Sequence, residues 1–268
     1  MGRNTAIRAA RRTPAARAVA AVTAAAIAVA APAPASAQAR AGGPPIIRDA
    51  EIEQLLRDYT RPILRAAGLA QQNVRIVIIN DRTFNAFVMD GRRIFVNVGA
   101  LTESKVPNEI IGVLAHESGH IAGGHLARLR DELSSAQTAA IIAMLLGVGA
   151  VVAGARSGNS SNLGQVGAAA ISAPTEMLRR SILSYQRAQE EAADRAAVKF
   201  VSATGQSAKG MASTFRRLSE QLMFATATAD PYAQSHPMPK ERVQALDELV
   251  KTSPYWDRKD PPAVQLRH

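Results

Sequence analysis

His116-Glu117-Ser118-Gly119-His120 decides how the rest of this chain is read. It matches the pattern H-E-x-x-H, in which two histidines stand four residues apart on one helix. Positions i and i+4 lie on one helical face, one turn apart, so both imidazoles can reach a single zinc ion. Glu117, next to the first ligand, projects beside the metal and is the candidate general base. Val113, Leu114, Ile121 and Leu126 give the segment the apolar backing of a buried helix, and three of the five histidines fall between positions 116 and 125.

A catalytic zinc takes three protein ligands and keeps a fourth position for water. The longer pattern H-E-x-x-H-x-x-G-x-x-H would put a histidine at 126. Gly123 fits it, but position 126 is Leu, and His125 comes one residue early. On a continuous helix His125 faces away from the ligand pair, which makes it a supporting or surface residue. The stronger source of a third ligand is Gln189-Glu190-Glu191-Ala192-Ala193-Asp194. Glu190 and Asp194 share one helical face; one can bind the metal while the other accepts the N–H of a ligand imidazole. Ala192 and Ala193 permit a close approach of two helices. Glu191 points about 100° away, outside the site.

The bulk numbers bound the alternatives. Hydrophobic residues make up 47% and charged residues 20% of the 268, which suits a globular chain with a substantial core. The formal charge of +10 suggests a nucleic-acid partner until it is located. Five of the 32 basic residues lie in the first 37 positions, which hold no acid; the remainder has 27 basic against 22 acidic residues. No nucleic-acid partner is expected from so mild a balance. The absence of cysteine excludes disulfides, thiolate metal sites and cysteine nucleophiles. Any metal must be held by His, Asp or Glu.

Arg3, Arg8, Arg11, Arg12 and Arg17 precede an uncharged run, Ala18 to Ala31, which leads through prolines to Ala35-Ser36-Ala37. A basic start, a short apolar centre and an A-x-A site read as a signal peptide over 1–37, with export to the periplasm. A peptidase domain is expected over 38–255. Within it, helical spacing begins at Asp49, Pro62 kinks that helix or begins a second, and Val74–Ile79 reads as a buried strand. Phe84–Met89 and Arg92–Val96 flank Asp90-Gly91 as a hairpin. A helix is expected from Pro107 to Leu133, followed by an apolar insert over about 133–173 whose Ala139–Ala155 core is wholly apolar or Gly. This insert reads as a lid, a contact with a membrane surface, core, or a span. Further helices are expected over 175–203, 207–225 and 239–252, with a tail at 256–268. The order predicts an α+β fold, mostly helical, with a small sheet beside the active helix.

The two motifs together resemble the M48 zinc metallopeptidases, the HtpX-type gluzincins, and more narrowly their secreted bacterial BepA-like branch. The likeness extends to Asn85-Ala86-Phe87, Ile94-Phe95-Val96-Asn97, Tyr185 through Glu190, and Ser235-His236-Pro237. It implies one zinc ion per subunit, with Glu190 as third ligand beside His116 and His120, and Asp194 as the carboxylate behind the ligands. It also brings His236 near the site, either as a donor to the reacting oxygen or as a residue that fills the open metal position and restrains activity. Arg242 is a candidate to pair with the buried acids or a surface charge. The implied activity is endopeptidase cleavage of misfolded or stalled envelope proteins, with polypeptide substrates and outer-membrane assembly machinery as partners. A chaperone-like assembly factor with little turnover is the alternative. Members of this branch often continue into C-terminal tetratricopeptide repeats, to which residues 256–268 would lead.

Overall fold

A computed structural model describes residues 45–156, 163–224 and 231–268. The proposed signal peptide and residues 38–44, 157–162 and 225–230 lie outside the described residues. Asp49 caps the first helix, α1 (Ala50–Ala66), its carboxylate accepting the backbone N–H of Glu51 and Ile52 at 3.0 Å each. Pro62 sits inside α1 without ending it.

Four strands follow the order β1-β2-β4-β3. These are β1 (Ile46–Ile47), β2 (Arg75–Ile79), β3 (Ala86–Val88) and β4 (Arg93–Asn97). β2 and β4 run parallel, while β1 and β3 join the two sides antiparallel. The β3–β4 hairpin turns through Gly91, whose φ of 72° suits a residue without a side chain. β1 was not expected, since the sequence around it is a Pro-rich lead; the pairing with β2 alone makes it a strand.

Next come the short α2 (Val98–Glu103) and the central helix α3 (Pro107–Gly123). Pro107 begins α3, and the Glu109 carboxylate reaches back to the Lys105 N–H at 2.9 Å. Ile110, Ile111, Val113 and Leu114 bury it against Leu56 and Ile63 of α1, Ile94 and Val96 of β4, and the later helices. The single helix expected from 107 to 133 is two. Gly124 adopts φ 62°, its N–H closes onto the carbonyls of His120 and Ile121, and the chain restarts as α4 (His125–Arg156). A left-handed glycine is a common helix stop, and here it outweighs the apolar periodicity that runs across it.

α5 (Leu163–Ala203) packs along both α3 and α4. It continues through Pro174, where the sequence suggested a break. α6 (Lys209–Phe224), α7 (Pro231–Ser235), α8 (Lys240–Lys251) and α9 (Pro262–Arg267) complete the described residues. The result is mostly helical with one small mixed sheet. Residues read as a tail pack back on the domain: Arg267 pairs with Asp58 at 2.9 Å, and the His268 ring nitrogen Nε2 lies 2.9 Å from the Ser104 carbonyl. Among the described residues no helix is long and apolar enough to cross a membrane.

Candidate metal centre

The site forms where α3 crosses α5. Gly119 makes the crossing close: a Cβ there would stand 2.9 Å from the Ala193 carbonyl oxygen. Ala193 itself is fully buried at the contact. The i, i+4 pair of α3 thereby meets the i, i+4 pair of α5, and four charge-bearing side chains share one buried volume.

Within it, the Nε2 atoms of His116 and His120 lie 3.1 Å apart. Glu190 presents Oε2 to His116 Nε2 at 3.4 Å and Oε1 to His120 Nε2 at 3.3 Å. Asp194 stands behind this group, its Oδ1 3.0 Å from His116 Nδ1. Glu190 and Asp194, which the residue pattern alone left interchangeable, thus occupy different places: Glu190 reaches the convergence point and Asp194 the far nitrogen. Glu191 is exposed and faces Arg195 at 3.7 Å.

His236, 120 residues after His116 in the chain, joins the cluster from the bend that directly follows the short helix α7. Its Nδ1 is 3.1 Å from Glu190 Oε2 and 3.4 Å from His116 Nε2. One ligand atom from each of His116, His120, Glu190 and His236 lies within 4.8 Å of the others. Three imidazoles and one carboxylate, all converging, form a donor set suited to a zinc-like cation. The residues present therefore fit a metal ion.

The electrostatics follow from burial and neighbours. Burial opposes protonation of His116, yet the Asp194 and Glu190 carboxylates beside it hold its pKa up at about 9. His120 is also desolvated, has only Glu190 for support and feels the charge on His116, so its pKa falls to about 3. Burial would raise Glu190, but His236, His116 and His120 together hold it well below the usual carboxylate range. Asp194, against the same desolvation, is lowered to about 2 by Arg242 and His116. Glu117 differs: burial dominates and pushes its carboxyl up despite His236 and His116 nearby. Its Oε2 meets no hydrogen-bond donor among the described residues, while the Tyr232 O–H is 3.4 Å from Oε1.

Arg242 resolves as a buried partner of the acids. Its Nε and Nη2 donate to the two oxygens of Asp194 at 2.7 and 2.8 Å, and Nη1 lies 2.9 Å from Glu190 Oε2 and donates to the Pro237 carbonyl at 2.9 Å. Bidentate geometry of this kind suits a guanidinium and no lysine. Two residues near the site escaped the sequence reading. Tyr232 stacks on His236 with ring centroids 4.5 Å apart, and Phe215 meets His116 edge-on at 5.3 Å. Neither had a signal: Tyr232 lies between the helices expected over 207–225 and 239–252, and Phe215 stands on a helix without a motif of its own. His125, expected on the far side of a continuous helix, is instead buried against His120.

A cleft of about 300 Å³ opens onto the cluster. Phe87 and Val88 of the outer strand β3 form one wall, Leu126, Leu129 and Arg130 of α4 another, and Glu117, His120, Glu190 and His236 its polar end. On α4 the described lining stops at Arg130, short of the apolar insert.

The profile of "Peptidase family M48" matches residues 47–250 of the chain. A Vibrio cholerae protein that carries the name beta-barrel assembly-enhancing protease provisionally is 25% identical over 214 residues, which are 78% of this chain and 41% of that protein. The beta-barrel assembly-enhancing protease of Escherichia coli K12 is 22% identical over 202 residues, 75% of this chain and 39% of its own length. The mitochondrial metalloendopeptidase OMA1 of Schizosaccharomyces pombe is 24% identical over 188 residues, 70% of this chain and 50% of its own. The chain thus spans about two fifths to one half of the length of these curated relatives.

Proposed function

Because the chain belongs to peptidase family M48, we propose that it is a zinc-dependent endopeptidase in which His116, His120 and Glu190 hold the metal and Glu117 is the general base. The observation that carries this reading is the convergence of those ligand atoms within 4.8 Å beside a buried, unpartnered carboxylate oxygen of Glu117. Bound there, zinc supplies a Lewis acid that polarises the scissile carbonyl and activates water near neutral pH.

The chain's own residues do the rest. Glu117 Oε2 accepts a proton from the attacking water and returns it to the leaving amine, a role worth about 10²–10⁴-fold. Burial raises its pKa, which makes the carboxylate a stronger base toward the water proton than an exposed glutamate would be. Asp194 stands 3.0 Å behind His116 Nδ1, where its charge favours a proton on that nitrogen, and Arg242 shares its one positive charge between the two buried acids, which favours their ionised forms. His236, with Nε2 3.6 Å from Glu117 Oε1, is placed either to donate to the developing oxyanion or to occupy a fourth ligand position.

Substrates are polypeptides bound extended along β3, whose outer edge faces the cleft and has no neighbouring strand among the described residues. Strand pairing reads backbone and little side-chain information, so unfolded segments are preferred over folded proteins. With the signal-peptide reading of 1–37 and relatives named for β-barrel assembly, this gives a periplasmic protease of misfolded or stalled envelope proteins, outer-membrane proteins included.

Casein digestion by the zinc-loaded chain and by Glu117→Gln tests the proposal. Cleavage by the first and none by the second, with equal zinc content, is the expected result. Equal cleavage by both removes Glu117 from its role. No cleavage by either favours the chaperone-like assembly reading, which has support of its own in His236, since a fourth ligand in reach of the metal site would restrain turnover.

A further inference from the structure

The two histidines of α3 present the same nitrogen to the convergence point, but their far nitrogens meet different partners. His116 Nδ1 faces a carboxylate, Asp194. His120 Nδ1 faces another imidazole, with His125 Nδ1 3.0 Å away and the two rings crossed at 87°. From this geometry we infer that His125 is a positioning residue: it accepts the Nδ1–H of His120 and so holds His120 in the tautomer whose Nε2 lone pair points at the metal. The inference rests on the metal-site reading given above.

Hydrogen-bond counting fixes the direction. A ligand nitrogen must offer its lone pair to the metal, so in a neutral imidazole the proton sits on the other nitrogen. His120 Nε2 is the atom beside His116 Nε2 and Glu190 Oε1, which leaves Nδ1 as the donor. His125 Nδ1 must then accept, and its own proton belongs on Nε2. His125 is buried and fills the space beside His120 Nδ1 at the wall of the cleft.

The backbone is built for this contact. On an unbroken α-helix residue 125 would lie about 140° around the axis from residue 120, out of reach. Gly124 breaks the helix with φ 62° and turns the next residue back toward α3. Gly123 then leaves the space the ring takes up, since a Cβ at 123 would overlap the His125 imidazole. Two adjacent glycines thus perform separate tasks, one reversing the chain and one making room.

The test uses the full chain, titrated with zinc against a chromophoric chelator. His125→Phe keeps an aromatic ring and removes the acceptor, and should weaken zinc binding by about 10–100-fold, the usual cost of losing a partner behind a ligand. His125→Asn places an amide oxygen close to the Nδ1 position and should recover most of that loss. Gly123→Ala leaves His125 intact but unseated, and should resemble His125→Phe. Independently, long-range ¹H–¹⁵N spectra of the wild-type zinc complex should show the His120 proton on Nδ1. Tight binding by His125→Phe, failure of His125→Asn to restore binding, or a proton on His120 Nε2 would each overturn the positioning role. A wild-type chain that binds no zinc overturns the metal-site reading itself, an outcome distinct from the others.

Discussion

The near and far parts of the α4–α5 pair invert the usual rule of burial. At the near end Glu190, Asp194 and Arg242 are buried with His116 and Glu117. At the far end Ile141, Ile142 and Leu146 of α4 are 59%, 53% and 70% exposed. Charges inside and large aliphatics outside both run against ordinary solvation, but they are tolerated for different reasons. Glu190 and Asp194 share the Arg242 guanidinium and have imidazoles beside them, so their desolvation is offset locally. The exposed aliphatics have no such offset within the described residues, and their cost is small because each is lost from a surface that is largely apolar anyway. The near end should therefore be intolerant of changes among these buried charges, and the far end indifferent to most changes.

The largest effect is expected from Glu190→Ala, which should abolish zinc binding and with it all cleavage, while Glu191→Ala retains both; metal analysis after dialysis decides, and the reverse result would mean that α5 presents a different face. Arg242→Met should follow. It leaves Asp194 and Glu190 buried without their guanidinium, a change that typically costs about 3–5 kcal/mol, read as a lower denaturation midpoint in urea. An unchanged midpoint would show that the acids do not depend on it. Gly119→Ala pushes a methyl toward the Ala193 carbonyl and should cost about 1–3 kcal/mol, since α3 and α5 must separate. The smallest response belongs to the far end: Ile142→Gln with Leu146→Gln should move stability by no more than about 0.5 kcal/mol. A larger loss would mean that these side chains are covered.

Legibility in the sequence followed distance along the chain. The i, i+4 pairs His116/His120 and Glu190/Asp194 were readable because a helix fixes which side chains share a face. The β3–β4 hairpin was readable from Asp90-Gly91 for the same local reason. The failures were also local signals, but competing ones. Apolar periodicity ran across Gly123-Gly124 and hid the break, whereas Pro174 suggested a break that helix continuation overrode; of the two readings of Pro62, a second helix is excluded because one helix runs through it. β1 has only two residues and exists through its pairing with β2.

By itself the sequence limited what could hold a metal in this protein: with no cysteine, two spaced histidines and two spaced carboxylates, the candidate centre is nitrogen- and oxygen-ligated. Which carboxylate faces that centre, and what stands behind each histidine, the tertiary structure decided. Asp194, Arg242, His236 and His125 take their positions from a close helix crossing at Gly119, a segment arriving 120 residues later, and a left-handed glycine. Helical phase is set by neighbouring residues and survives any fold, but the partner of a buried charge is set by whatever packs against it.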